Sequence, residues 1–175
     1  MRRSAGSVSR GVRELAIGVA ALALAWAAPA TGEPYAVGSS IAPLVLEDQH
    51  EVPHRVDAAT RGVLLSRDMD GGGLVREGLA SEGAARLEKA GAVYIADVHG
   101  MPGLIRRMIA IPRMRKRGYP VLLDTAGEAT AAFPAQAGKA SWIRLEGLRV
   151  AEVRFLGSAE EVKAALAGAE TPPGD

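Results

Sequence analysis

One short stretch of the chain has the spelling of a zinc-hydrolase motif: His50-Glu51-Val52-Pro53-His54 is a literal H-E-x-x-H. The motif works because a helix places its two histidines one turn apart on one face, with the glutamate beside the zinc-bound water. Pro53 opposes a helix, because it lacks the required N–H and disfavours helical backbone at Val52. We therefore interpret His50 and His54 as exposed residues of a β-hairpin, with weak adventitious metal binding as the alternative.

Three aspartates, Asp68, Asp70 and Asp97, stand at or just after the ends of two predicted buried strands. The carboxyl ends of neighbouring parallel strands meet at one edge of a sheet, which is where ligands usually bind. Carboxylate oxygens are the preferred ligands of hard divalent cations. A non-thiol enzyme that uses these three aspartates with a cation is therefore one hypothesis for this chain.

The glycine-rich run Gly71-Gly72-Gly73 follows Asp70 and precedes a predicted helix. Backbone N–H groups in such a place could bind an anion. However, no Lys-Ser/Thr pair follows as in a P-loop, and Arg76 stands where G-x-G-x-x-G requires its last glycine. The neighbouring aspartates would also repel a phosphate. We interpret the run as a tight strand-to-helix turn that needs glycine dihedral angles.

A basic segment follows later in the chain and contains six cations with no acidic residue among them. Its charged members are Arg106, Arg107, Arg113, Arg115, Lys116 and Arg117. Residues 68–97 have the opposite balance, with six acidic and three basic side chains. The segment is either a solvated helix face or a contact surface for an anionic partner, such as lipid headgroups or an acidic protein.

The apolar patterns predict the elements that position these residues. A hairpin is expected from Leu44–Leu46 and His54–Val56, and buried strands over Arg61–Asp68, Ala92–Asp97 and within Tyr119–Asp124. Two further strands are expected on either side of Glu146-Gly147, and a short helical turn before them, near residues 127–133.

Three helices are predicted between and after these strands. The first covers about 73–89 and ends at Gly91. The second begins with Pro102 in its first turn and carries Leu104, Ile105, Met108 and Ile109, and Pro112 ends or kinks it. The last opens with a capping box, Ser158 and Glu161. Strands that alternate with helices indicate an α/β fold, with a mixed central sheet, helices on both faces and an N-terminal hairpin.

The first thirty of the 175 residues have the features of a secretory signal peptide. Arginines precede an apolar run, Leu15–Ala28, and a small-x-small pattern follows at Ala28-Pro29-Ala30. The run is short for a membrane span, so an uncleaved anchor is the less favoured alternative. We expect residues 1–30 to be removed, 31–40 to be a lead-in, 41–167 to form the domain and 168–175 to be a disordered tail.

The charge balance argues against nucleic acid as a partner. The formal net charge is +1, but residues 1–30 hold four arginines and one glutamate, so the rest of the chain has a net charge of −2. An exported protein with this balance has no overall attraction for nucleic acid. The chain has no cysteine, which excludes disulfides and thiol chemistry.

The order of elements resembles the thioredoxin-like fold in its redoxin variety, the peroxiredoxins and thiol-disulfide oxidoreductases. The opening hairpin within 41–57, the strand and glycine-rich run within 62–73, the stretch 119–133 and the closing hairpin and helix within 141–166 carry the resemblance. The resemblance implies a thioredoxin-like fold over about residues 38–167.

The departures from the redoxin pattern concern the active site. The resemblance places Asp70 and Gly73 where the two cysteines of the family would stand, and Ala140 where the family has a proline before a late strand. A redox site needs a thiolate of low pKa at the start of this helix, and aspartate cannot form a disulfide. The chain is therefore identified as a redoxin-like protein without thiol-disulfide or peroxidase activity.

The sequence thus predicts an exported, periplasmic protein with no cofactor. We expect it to bind a periplasmic protein or small ligand at the former active-site end, through Asp68, Asp70, Gly71, Gly72, Gly73, Asp97, Pro102 and Ala140. The alternatives are the cation-dependent enzyme and docking on a membrane surface or acidic partner through Arg106–Arg117.

Overall fold

The H-E-x-x-H stretch folds as the turn and second strand of a hairpin in the computed structural model, which describes residues 34–170. Strand β1 (Leu44–Glu47) pairs antiparallel with β2 (Pro53–Val56). Pro53 is the first residue of β2, and Glu51 lies in the turn with φ of +65°. The predicted hairpin is confirmed, and the stretch is not the helix that a zinc hydrolase requires.

The aliphatic runs form a mixed sheet of five strands. They are β3 (Gly62–Ser66), β4 (Ala92–Asp97), β5 (Leu122–Asp124), β6 (Ala140–Glu146) and β7 (Arg149–Leu156), in the order β5-β4-β3-β6-β7. β3, β4 and β5 are parallel, whereas β6 runs antiparallel to β3 and β7 antiparallel to β6. The carboxyl ends of β3, β4 and β5 therefore share one edge, which we call the carboxyl edge.

The single helix predicted over 73–89 is two helices, α1 (Met69–Gly78) and α2 (Gly83–Ala90). Helix α1 begins four residues earlier than expected, because the Asp68 side chain caps it. It cannot run into α2, because Glu82 adopts left-handed backbone with φ of +59°. A Cβ on Gly83 would lie 2.6 Å from the Tyr119 ring, so close packing, rather than chance, places glycine here.

Of the two effects expected of Pro112, the second predicted helix does not end there but continues to Met114 with a distorted turn. It consists of α3 (Gly103–Ile105), a π-helical segment (Arg106–Ala110) and α4 (Ile111–Met114). The Ile111 N–H reaches back five residues to the Arg106 carbonyl. This wider turn accommodates a proline that lacks an N–H and crowds the preceding turn. Pro102 is the residue that precedes the helix, rather than part of its first turn.

The closing helix α5 (Ala159–Glu170) starts with the predicted capping box. The Glu161 N–H donates to Ser158 Oγ at 3.2 Å, and the Glu161 carboxylate accepts from the Gly157 N–H at 2.6 Å. The helix extends three residues beyond the predicted end of the domain at 167. The last residues of the predicted tail, 171–175, and the predicted signal peptide lie outside the described residues.

Buried side chains form two clusters, one on each face of the sheet. The first joins α1, α2 and α5 to the sheet through residues such as Val75, Leu87, Trp142 and Leu166. The second contains Val63, Ile95, Phe133 and Ile143 with side chains from the hairpin and the lead-in, and no residue of a helix. The hairpin, the lead-in and loops therefore supply buried side chains on this face of the sheet. Within residues 34–170 no helix has both the length and the apolar character that a membrane crossing requires.

Candidate functional site

The first turn of α1 lies where a redoxin would have its active site. Here the Asp68 carboxylate accepts two backbone hydrogen bonds. The Gly71 N–H donates to Asp68 Oδ1 at 2.7 Å, and the Gly138 N–H donates to Asp68 Oδ2 at 2.7 Å. One carboxylate thus caps the helix and holds the loop that precedes β6. Negative charge at this position is favoured by the helix dipole. At the helix N-terminus, where a redoxin would stabilise its thiolate, the Gly71 N–H thus already has an acceptor within the protein.

The three glycines lie inside α1 and not in a turn before it, which corrects the interpretation of their dihedral angles. None of the three has positive φ. Gly71 is required for another reason: a Cβ there would lie 2.5 Å from the Lys139 carbonyl oxygen. A Cβ on Gly72 would make ordinary contacts, and one on Gly73 would meet nothing within 4 Å. The helix therefore packs against the loop before β6 at one glycine only.

The two positions that resemble the cysteine sites face outward or open space. Asp70 is exposed in the first turn of α1, and Gly73 borders space that no side chain fills. Ala140 is fully buried at the start of β6, directly after the carbonyl that touches Gly71. The structure thus brings Asp68, Gly71 and the 138–140 loop together.

Asp97 does not join Asp68 and Asp70 but anchors a separate polar network at the carboxyl edge. Its Oδ1 accepts from His99 Nδ1 at 2.6 Å, and its Oδ2 accepts from Thr130 Oγ1 at 3.1 Å. Thr130 Oγ1 is also 2.9 Å from Asp124 Oδ2. Arg67 Nε lies 3.7 Å from Asp97 Oδ2, and the Arg67 guanidinium also bonds the Thr130 carbonyl.

This network changes the interpretation of the aspartates. In the part of the chain that the structure describes, no three His, Cys, Asp or Glu side chains are arranged to hold a metal ion. The proposed Asp68–Asp70–Asp97 cation site is therefore not formed. Arg67, Asp124 and Thr130 were missing from the sequence-based site, although Asp124 ends a predicted strand at the same edge as Asp97.

Helix residues 103–114 leave an apolar surface uncovered beside the carboxyl edge. Leu104 is 75% exposed and Met108 69%, and Ile105 and Ile109 are also exposed. Only Met114, at the far end of the helix, is buried. Exposed large apolar side chains that adjoin one another mark interaction sites more often than chance exposure does.

The sequence suggested that the six basic residues form one surface, but the structure separates them. Arg106 bends toward the Val98 and Thr125 carbonyls, and Arg115 Nε donates to the Gln49 carbonyl at 2.7 Å. Arg107, Arg113 and Lys116 are exposed and make no ion pair within residues 34–170. Arg117 is half-buried, and its Nη1 atom is inaccessible to solvent. We call Leu104, Ile105, Met108, Ile109, Arg107 and Arg113 the docking surface.

The two histidines of the hairpin are separated by their hydrogen bonds. His54 Nε2 lies 3.0 Å from Asp48 Oδ2, while His50 is exposed and its backbone N–H donates to Asp48 Oδ1 at 2.7 Å. Burial would raise the pKa of Asp48, but the N–H groups of His50 and Val52 and the His54 ring hold that pKa below its ordinary value. The stretch therefore organises a turn around a buried carboxylate.

The architecture defines a thioredoxin-like protein: a mixed five-stranded sheet, a helix that starts directly after the central strand β3, and an N-terminal hairpin. The redoxin resemblance and the fold class are confirmed, in a chain without cysteine. No protein-family model and no curated protein sequence matches the chain. Its similarity to known proteins is therefore one of structure.

Three of the solved structures with a similar fold carry the names of redox proteins. A protein assigned as the thiol:disulfide interchange protein DsbE of Chlorobium tepidum has a TM-score of 0.54 and 12% identity, over 78% of this chain and 99% of that one. A protein assigned as a protein disulfide isomerase of Bacteroides thetaiotaomicron has a TM-score of 0.52 and 15% identity, over 76% and 87%. Peroxiredoxin Q of Xanthomonas campestris has a TM-score of 0.50 and 16% identity, over 73% and 89%. At such low sequence identity, these similarities establish the fold alone.

Proposed function

We propose that this chain is a thioredoxin-like binding protein without redox activity, which acts in the periplasm and docks on an anionic membrane surface. The lack of cysteine removes the nucleophile of redoxins. Asp68 occupies the helix N-terminus with hydrogen bonds to its own fold. The docking surface is then the feature at this edge of the domain that can bind a partner.

One observation carries the proposal: apolar side chains of the 103–114 helix are uncovered between arginines that have no acidic partner. Leu104 and Met108 are largely exposed, and Arg107 and Arg113 make no ion pair within the described residues. No acidic residue occurs from Val98 to Leu123. A helix with this composition suits the boundary between lipid headgroups and acyl chains, where apolar residues insert and cations meet anionic lipids.

A membrane explains this surface better than an acidic protein does. The exposed residues lie on a convex helix, so a protein partner would need a matching apolar groove lined with carboxylates. A lipid surface adapts to the helix without such a match. The signal peptide predicted over residues 1–30 would deliver the domain to the membrane from the periplasmic side, and it is part of the same proposal.

Vesicle co-sedimentation tests the proposal. We expect the protein to bind phosphatidylcholine vesicles that contain phosphatidylglycerol, and to be released by salt. Each cation near an anionic membrane contributes about 1 kcal/mol, so Arg107→Gln with Arg113→Gln should weaken binding about 30-fold at low salt. Leu104→Gln with Met108→Gln should weaken binding both to these vesicles and to vesicles of phosphatidylcholine alone.

Two matched controls separate docking from general surface effects. Val37 is 65% exposed and Arg154 lies on β7, so Val37→Gln and Arg154→Gln remove an apolar and a cationic side chain outside the docking surface. Both variants should bind as the wild type does. Equal binding to vesicles with and without phosphatidylglycerol would exclude recognition of anionic lipid, and no binding at low salt would exclude the membrane and leave a protein partner. Reduction of insulin disulfides or of peroxide by the purified protein would overturn the absence of redox activity.

A further inference from the structure

Methionine is the only sulfur-containing residue of this chain, which has five methionines and no cysteine. Peroxides oxidise the thioether of methionine to a sulfoxide, and methionine sulfoxide reductases reverse the change. In a protein with reactive cysteines, exposed thiolates compete for the same oxidants. Here no thiol competes, so a peroxide that reaches the chain meets methionine as its only sulfur.

The four methionines of residues 34–170 differ widely in their access to solvent. Met69 is 86% exposed and Met108 is 69% exposed, whereas Met101 is half-buried and Met114 is only 9% exposed. A thioether must be reached by the oxidant before it can react, so its rate of oxidation follows its exposure. Met69 and Met108 should therefore react first and Met114 last.

Met108 lies within the docking surface. It follows Leu104 by one helical turn, and it stands between Arg107 and Ile109 in the chain. On a membrane, its thioether would be inserted with the neighbouring apolar side chains. A sulfoxide is polar, and its oxygen accepts hydrogen bonds that acyl chains cannot donate. Oxidation of this one sulfur atom therefore removes an apolar contact and adds a desolvation cost.

Met69 is equally accessible but has a different setting. It is the first residue of α1, between Asp68 and Asp70, and it does not belong to the docking surface. An anionic bilayer repels the two carboxylates beside it. Two exposed thioethers in one chain should therefore react alike with peroxide, and only one of them should change how the domain binds a membrane.

We propose that Met108 is a site of reversible oxidation by hydrogen peroxide, and that its sulfoxide releases the domain from the membrane. This role rests on the proposed docking of the domain on an anionic membrane surface. The sulfur lone pair attacks one peroxide oxygen and forms an S–O bond, while the O–O bond breaks. The second oxygen leaves as hydroxide and takes the proton of the first to form water. The sulfur is oxidised once for each peroxide reduced, so the reaction is stoichiometric, unlike the turnover of a peroxidase.

Peroxide treatment, followed by mass spectrometry of tryptic peptides and by vesicle co-sedimentation, tests the proposal. Trypsin cleaves after lysine and arginine, so Met69, Met101 and Met108 fall in separate peptides, 68–76, 90–106 and 108–113. We expect the first and last of these peptides to gain one oxygen at similar rates, and well before the peptide 90–106. The oxidised protein should bind vesicles with phosphatidylglycerol about tenfold more weakly, which is the effect of losing one inserted apolar side chain. Methionine sulfoxide reductases should restore the binding.

Three variants assign the effect to one sulfur atom. Met108→Leu keeps an apolar side chain of similar volume without an oxidisable atom, so its vesicle binding should withstand peroxide. Met69→Leu is the matched control, and its binding should fall on oxidation as that of the wild type does. Met108→Gln places a polar side chain in the docking surface, so it should bind as weakly as the oxidised wild type does, without any peroxide.

The outcomes distinguish the role of Met108 from the membrane proposal itself. Equal binding of the oxidised and the untreated wild type would overturn this role, and so would a Met108→Leu protein that loses binding on oxidation as the wild type does. Oxidation of Met108 more slowly than the half-buried Met101 would overturn its accessibility, and this rate is read in the wild type, so it needs no folded variant. Untreated protein that does not bind vesicles at low salt would overturn the proposed function first and, with it, the release.

Discussion

Adjacent glycines of α1 should respond in opposite directions to the same substitution. Alanine favours a helix over glycine by about 1 kcal/mol, so the change is stabilising wherever its Cβ has room. A Cβ on Gly73 meets nothing within 4 Å. A Cβ on Gly71 would lie 2.5 Å from the Lys139 carbonyl oxygen and 2.9 Å from its carbon. We therefore expect Gly73→Ala to stabilise the protein and Gly71→Ala to destabilise it.

The size of the difference follows from what surrounds Gly71. The Lys139 carbonyl belongs to the backbone, and its loop is held by the 2.7 Å hydrogen bond from the Gly138 N–H to Asp68. The clash therefore requires a shift of backbone, which costs about 3 kcal/mol, the upper part of the range for an overpacked site. Subtracting the helix preference leaves a net loss of about 2 kcal/mol for Gly71→Ala. Gly73→Ala should gain about 1 kcal/mol, so the two variants should differ by about 3 kcal/mol.

Urea unfolding, followed through the fluorescence of the buried Trp142, measures both free energies of unfolding. Gly72→Ala is the intermediate case, because its Cβ would make ordinary contacts with Ser66 Oγ and the Tyr94 hydroxyl at 3.7 and 3.9 Å. A Gly71→Ala protein at least as stable as the wild type would refute the close approach between α1 and the loop before β6. A Gly73→Ala protein that is less stable than the wild type would refute the helical assignment of the run.

Three other substitutions test the remaining contacts. Asp68→Ala should cost about 2 kcal/mol, from one helix cap and one further hydrogen bond to a carboxylate, whereas Asp68→Asn should keep the cap and cost less; equal urea midpoints for the two would contradict this. Thr130→Val should cost about 2 to 4 kcal/mol, because it leaves two buried carboxylates without their shared hydroxyl, and the exposed Thr125→Val is the control. Asp48→Asn should lower the stability by about 1 to 2 kcal/mol at pH 7. Since the pKa of Asp48 is depressed in the folded state, this contribution is present above the pKa of the unfolded state and is lost as the pH falls through the folded pKa, so the wild type and the variant should converge in acid; a gap that stays constant from pH 7 to pH 2 would rule out this role.

The strands could be predicted from the sequence because their signal is local. Gly62–Ser66 and Ala92–Asp97 are compact aliphatic runs, and the hairpin has a polar turn between two apolar segments. Likewise, Pro53 and its immediate neighbours were enough to exclude a helical zinc motif at residues 50–54. These features need no knowledge of distant residues, and the structure confirms them.

The break between α1 and α2 could not be predicted in the same way. Gly78 and Gly83 only weaken a helix when considered locally. In the fold, however, a Cβ on Gly78 would lie 2.6 Å from Val162, and Gly83 packs against Tyr119. Both contacts join residues far apart in sequence, so they are decided by tertiary packing.

The candidate site shows the same division between local and distant effects. The glycine-rich run predicted the importance of the first turn of α1, but the partner of Asp68 is Gly138, seventy residues away. Asp97 looked like a cation ligand because its hydrogen-bond partner Thr130 could not be foreseen from the sequence. Arg117 belonged to an apparently uniform basic segment, and only its burial beside Tyr119 separates it from the exposed arginines.

The cap that Asp68 forms also bears on what a cysteine could do in this helix. In Cys-X-X-Cys proteins the helix N-terminus lowers the pKa of the thiol and so makes it reactive. Here one of these N–H groups, that of Gly71, already donates to the Asp68 carboxylate, and Asp70 is exposed beside it. A thiol introduced in the first turn would lie near this negative charge, which disfavours the thiolate form. The Asp68 cap therefore opposes thiolate chemistry at this helix start, and a reactive cysteine here would be favoured by the removal of Asp68.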